Sequence, residues 1–193
     1  NFDVCSVGGA TASGLDNPNS VTAAYATFNN KLNSATKNSI VIVMLGEVDT
    51  GFVIWWRAQK QGGDVNLMLS QAVEKYAKFI SEINGTYRPL VMSTPMPTIT
   101  DDNDWGEVAN LRREITATQR ERTALTLRFN SEIRRYCDSH GIPYISLDQE
   151  SLGEDGLVAD HLISAIRDDH YYGAGQHFKL TMPKLRASQM AFR

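Results

Sequence analysis

"SIVIVMLGEVDT", residues 39–50, runs an apolar, β-branched segment directly into a loop that carries a glycine and two carboxylates. Residues 40–45 are apolar at successive positions rather than alternate ones. That pattern fits a strand buried on both faces, as in a parallel sheet covered by helices. Companion runs occur at "FDVCSV" (2–7), "PLVMST" (89–94) and "PYISL" (143–147), each bounded by Gly, Pro or Asn. All four are expected as strands.

Helical spacing fills the intervals. Val21, Ala24, Phe28 and Leu32 recur on one face, with Ser20 placed as an N-cap. Val73, Tyr76, Ile80 and Ile83 form a second stripe that ends near Gly85. A third passes through Ala124, Leu127 and Ile133 to Cys137 and stops at Gly141 and Pro143. The tail from Phe178 to Phe192 is expected as a final helix packed on the sheet, and "TITDDNDWGE" (98–107) as a loop. Strands alternating with helices predict an α/β sandwich with right-handed crossovers. No internal repeat or low-complexity linker interrupts it, so residues 1–193 read as a single domain.

Bulk composition narrows the function classes. The chain has 193 residues, 42% hydrophobic and 21% charged, the balance of a globular domain. A formal charge of -3 argues against nucleic acid as the main partner, because neutralising phosphates needs surplus Lys and Arg. No stretch approaches the roughly 20 apolar residues of a membrane span. No secretory signal is seen, and a cytoplasmic setting is expected. The start at Asn1 rather than Met reads as that of an excised domain or a processed protein. Cys5 and Cys137 make no disulfide framework and are expected as buried thiols. No zinc-site spacing occurs, and no metal or cofactor is expected. The loop after the first run lacks both Gly-x-Gly-x-x-Gly in register and Gly-Lys-Ser/Thr, which speaks against a phosphate loop. Oligomeric state has no signature here.

In open parallel sheets, ligands bind beyond the carboxyl ends of the strands. After the four runs come Gly8-Gly9-Ala10-Thr11-Ala12-Ser13-Gly14, then Gly46-Glu47-Val48-Asp49-Thr50, then "TPMPT" (94–98), then Asp148. "RDDHYYG" (167–173) follows late in the chain. The topology would gather these segments at one edge.

Taken in order, they resemble the SGNH/GDSL hydrolase superfamily, whose members are flavodoxin-like three-layer α/β/α sandwiches. That family's Gly-Asp-Ser block, with Ser as nucleophile, is matched by Gly8, Gly9 and Ala10. Its Gly-x-Asn-Asp block is matched by Gly46-Glu47-Val48-Asp49. Its Asp-x-x-His block is matched, one residue shorter, by Asp168-Asp169-His170. The resemblance implies that His170 is a general base held by Asp168 or Asp169. It also implies that Gly9 and neighbouring N–H groups serve an oxyanion, and that Asp49 organises the site. Ala10 marks the nucleophile position, and Val48 replaces the amide that would serve the oxyanion. "LGEVD", "FN" (129–130) and "DH" are further similar to a divergent branch found beside glycosyltransferase or repeat domains in bacterial polysaccharide loci.

Each candidate also has a plainer reading. Ala10 is equally a small residue in a tight turn. Ser13 could offer a second hydroxyl, but reads more simply as a cap or loop hydrogen-bonding residue. Glu47 and Asp49 could be an acid–base pair, a cation site, or, for Asp49, a cap. Among the other histidines, His161 is a weaker candidate, while His140 needs only a helix-end dipole contact. In "WWRAQK" (55–60), one Trp is expected inward, and Arg57 and Lys60 could meet an anionic ligand or local acids. "RREITATQRER" (112–122) reads as a solvated charged face.

Three functions follow. The first is an esterase- or acyltransferase-type domain for an acylated small-molecule or glycan substrate, with Gly46, Glu47, Asp49 and Arg57 lining its cleft. The second is a non-catalytic glycan- or protein-binding relative. The third is an enzyme of direct displacement through Asp49 or His170.

Overall fold

In the computed structural model, residues 2–101, 114–166 and 169–191 are described. The run beginning at Ser39 forms strand β1 (Ile40–Val43), which pairs in parallel with β2 (Arg88–Met92). Strand β2 pairs in parallel with β3 (Tyr144–Ile145), giving the order β1-β2-β3. Around them lie α1 (Ala24–Asn33), α2 (Ile54–Gln61), α3 (Val65–Asn84), α4 (Gln119–Ser139), the short α5 (Asp148–Ser151) and α6 (Ala174–Ala191).

Alternation along β2 explains the layers. Val91 faces one way and joins Val43 in a core with Tyr76, Ile80 and Ile83 of α3 and Phe129, Ile133 and Cys137 of α4. Leu90 and Met92 face the other way and join Ile145, Leu147 and Leu185 of α6. The sheet is therefore covered on both faces, as continuous apolar runs require. A smaller cluster of Met96, Val158, Leu162 and Tyr172 supports the chain beyond the strand ends. Among the described residues, no helix is long and apolar enough to cross a membrane.

Several expectations need correction. Residues 2–7 form no strand; Phe2 is 56% and Val4 76% exposed. Asp3 and Ser6 interrupt that run, and Asp3 instead pairs with Lys31 at 2.6 Å. Helix α1 begins at Ala24, not after Ser20, because successive turns bond Ser20 N to Asn17 O and Ala23 N to Ser20 O, at 3.1 and 3.0 Å. The Ser20 hydroxyl meets Thr22 rather than capping the helix. Helix α3 ends as expected, with Gly85 at its C-cap. Helix α4 starts with a Thr118–Glu121 capping box, and Leu125, Phe129, Ile133 and Cys137 lie on its inward face, while Ala124 is exposed. Arg122 falls in line with that face, so it is not a solvated charge. Its guanidinium donates to Ile99 O at 2.8 Å and pairs with Asp101 at 3.1 Å. Arg112 and Arg113 lie outside the described residues. Cys137 is buried and its thiol is pushed up to about 12 by burial and by Asp138, whereas Cys5 is half-buried.

Gly46 sits where β1 turns into the loop, at φ 113°, in the left-handed region. A Cβ there would meet Phe129 Cε1 at 2.5 Å and Thr94 Oγ1 at 2.8 Å. Gly46→Ala combines backbone strain with overpacking and should cost about 3–5 kcal/mol. Urea unfolding of the variant should show a correspondingly lower midpoint with an unchanged slope.

Candidate active site

Past β1 the chain makes a π-turn (Asp49–Val53) that leads into α2. The turn draws Asp49 to 0% exposure, where its carboxylate needs partners. It finds them in the first loop, accepting from Ala12 N at 2.6 Å and Ser13 N at 3.0 Å. Those amides open a short 3-10 turn (Ala12–Gly14). Burial pushes the Asp49 carboxyl above its usual range, opposed by Ser13, by the Ala12 amide and by the Arg57 guanidinium. The Ser13 hydroxyl lies near this carboxylate but outside good hydrogen-bond geometry. Lys75 of α3 fastens the same turn, donating to Ser13 O at 3.0 Å and pairing with Asp16 at 2.8 Å.

The strand ends are stitched by side chains. Thr94, beyond β2, donates its hydroxyl proton to Leu45 O at 2.6 Å. Asn130 of α4 takes the Thr94 backbone in both directions, accepting from its N–H at 2.8 Å and donating to its carbonyl at 3.0 Å. The Asn130 amide also donates to Asp148 Oδ1, beyond β3, at 2.8 Å. Burial raises the Asp148 carboxyl, opposed by Asn130 and the Ser146 and Ser93 hydroxyls. Thr50 donates to Gly46 O at 3.1 Å and meets the Thr126 hydroxyl at 2.8 Å.

The segment carrying His170 is tied to the chain beyond β2. Thr98 donates to the His170 carbonyl, and the Tyr172 hydroxyl accepts from Met96 N at 2.8 Å. The half-buried His170 ring lies 4.1 Å from that of Tyr171, centroid to centroid. Asp169 Oδ1 accepts from Tyr171 N at 3.0 Å, so one oxygen of this acid closes a local turn. Asp168 lies outside the described residues.

The other expected site residues fall as follows. Ala10 is buried, and its amide donates to Val7 O at 3.2 Å. Gly9 is exposed in a left-handed turn at φ 71°. Glu47 is half-buried and engaged, and Arg57 is half-buried on α2. Ser13 is buried, with its amide on Asp49. His161 is exposed, and His140 closes α4 with Nδ1 2.8 Å from Tyr136 O. Trp55 donates its indole proton to Thr50 O at 2.8 Å, and Trp56 donates to Glu114 at 3.1 Å. Thus Asp49, the first loop and Arg57 come together, while His170 is held by the Met96–Thr98 stretch. The sequence places the segments of Thr94, Thr98 and Tyr172 at this edge without assigning these residues a role, and it assigns none to Lys75 or Asn130 here. Asn130 left one signal, a polar side chain on a helix face otherwise apolar at Phe129, Ile133 and Cys137. Among the described residues, no group of three or more His, Cys, Asp or Glu could hold a metal.

No family model and no curated protein matches the chain. Solved structures do. A GDSL-like lipase from Bacteroides thetaiotaomicron is similar at a TM-score of 0.60 and 12% identity, covering 96% of this chain and 73% of that one. An extracellular lipase from Streptomyces rimosus gives 0.55 and 16%, covering 97% and 79%. An acetyl xylan esterase gives 0.53 and 12%, covering 92% and 76%. At these identities the likeness shows the fold, a GDSL-like α/β sandwich.

The raised Asp49 carboxyl sets a pH dependence. From about pH 4 upward, near the ordinary Asp value, the unfolded chain releases this proton before the folded chain does, so stability falls as pH rises. Asp49→Asn lacks that titration and loses a charged hydrogen bond, at about 1–3 kcal/mol. Urea midpoints measured from about pH 4 to about pH 7 should show the wild-type advantage shrinking as pH rises. An advantage that grows instead would mean the folded carboxyl lies below its ordinary value.

Proposed function

We propose that this chain is an SGNH-like domain of esterase or acyltransferase plan. Its strand-end cleft takes an acylated, carbohydrate-borne ester, and Ala10 occupies the nucleophile position. The observation that carries the reading is the pair of hydrogen bonds from Ala12 and Ser13 to buried Asp49. They hold the first loop against the strand ends, in the arrangement expected of a loop that meets an ester carbonyl. The hydrolase fold of the similar structures supports the same reading.

On that plan, a hydroxyl at position 10 would attack the ester carbonyl carbon while passing its proton to His170. Backbone N–H groups near Gly9 would hold the oxyanion. Collapse would then expel the sugar hydroxyl, which takes the proton back from His170. The Ala10 methyl has no lone pair, so this covalent route is closed in the present sequence. Val48 supplies no donor either, a loss worth roughly 10²–10³ in rate by itself.

A second reading, a binding domain without turnover, is favoured by the state of the loop's donors. The amides of Ala10, Ala12 and Ser13 are already engaged by Val7 and Asp49. Direct displacement through Asp49 fits poorly, because a fully buried carboxylate cannot present itself to water.

Hydrolysis of short-chain aryl acetates tests the choice. The parent chain should be inactive, and Ala10→Ser should gain activity. Adding His170→Ala should then remove that activity by about 10²-fold or more. Turnover by the parent would overturn the reading of position 10. Inactivity of all three proteins, with binding of acetylated oligosaccharides retained, would establish the binding domain instead.

A further inference from the structure

Helices α3 and α4 turn apolar faces to the sheet, and on the outside a groove of about 650 Å³ runs between them. Its floor is half-buried Val73 and buried Ala77 of α3, with half-buried Tyr136 of α4 across from them. An apolar floor open to water is stabilised by being covered.

The charges along the rim select what covers it. Glu132 of α4 is paired within its own helix, with Arg128 at 3.0 Å. Glu82 of α3 accepts from the Tyr25 hydroxyl at 3.0 Å. That leaves Glu74 and Lys78, exposed on the rim and one turn apart on α3. Such a spacing lets opposite charges close, as Arg128–Glu132 and Arg134–Asp138 do on α4. Among the described residues, the side chains of Glu74 and Lys78 make no ion pair and no hydrogen bond. The rim therefore presents one unspent negative and one unspent positive charge in a fixed order. A basic partner would set like charge against Lys78, and an acidic partner would do so at Glu74. The complement is the same two residues in reverse order, which a second α3 supplies when it runs antiparallel.

We propose that the groove between α3 and α4 is the contact face of a two-fold dimer of this chain, with Glu74 of each copy against Lys78 of the other. Each α3 lies in the groove of the second copy, giving a self-complementary, closed interface of four helices. The register centres on position 76, which puts Ala77 at the crossing, where a small side chain lets helix axes approach. It also sets Ser70 opposite Glu82 of the second copy. Two helices of 20 and 21 residues, each about 30 Å long and about 10 Å wide, offer a face of roughly 600 Å². Stable complexes bury about 800 Å² per partner, so this dimer is weak and follows concentration. The contact is independent of the strand-end cleft and of any chemistry there.

Sedimentation velocity tests the interface. Across the micromolar range the parent chain should show a monomer–dimer equilibrium that moves toward monomer as salt is raised. Glu74→Lys and Lys78→Glu, each alone, put like charges at both contacts and should weaken the dimer about tenfold to a hundredfold. Mixing these two variants should restore association, because each then carries the charges the other lacks. The double variant Glu74→Lys/Lys78→Glu should dimerise as the parent does. A parent that stays monomeric throughout overturns the proposed dimer. So does a dimer indifferent to the single reversals, or a mixture of the two single variants that stays monomeric.

Discussion

A carboxylate with no exposed surface must be satisfied from within, and Asp49 is satisfied by backbone amides 36 and 37 residues away in sequence. Three elements meet on that requirement. The π-turn after β1 delivers the carboxylate, the first loop supplies the amides, and Lys75 of α3 holds the far side of the same loop. Leaving the acid unpartnered would cost more than an ordinary lost hydrogen bond, so the first loop is fixed even though the segment before it joins no strand. The loop's geometry therefore does not depend on a hydroxyl at position 10.

Asn130 does for the middle of the sheet what Asp49 does for its edge. Its side-chain amide offers both donor and acceptor, so it can bridge the Thr94 backbone and still reach Asp148. With Thr94 bound to Leu45 O, side chains join the ends of all three strands in addition to ladder hydrogen bonds such as Ser93 N to Ile145 O. Such a network is stable because every member described is satisfied. It also explains why the turn at Gly46 tolerates no side chain, since Phe129 and Thr94 fill that space.

The fold was legible where the physics is local and repetitive. The continuous run at 39–45 made a parallel strand, and the stripe Val73, Tyr76, Ile80 and Ile83 made a helix ending at Gly85. It was misread where burial rather than residue type decides. "FDVCSV" has strand-like residues, but its polar members leave it little to bury, and it stays outside the sheet. Arg122 looked solvated by its neighbours in sequence, and helix phase placed it inside. At the site, the position of Asp49 beside the first loop could be anticipated from the order of the segments. The segments of Thr94 and Tyr172 were gathered at the same edge by that order, but their individual hydrogen bonds, and the role of Lys75, were not legible, because each is a contact between distant parts of the chain that no single local pattern announces.

The tether between Tyr172 and Met96 closes a loop of 76 residues, twice the span of the Asp49 contact. Closing a longer loop costs more chain entropy and generally comes later in assembly. Its supporting cluster of Met96, Val158, Leu162 and Tyr172 is also smaller than the core beneath the sheet. The histidine-bearing segment thus rests on a smaller set of apolar contacts than the helices that cover the sheet.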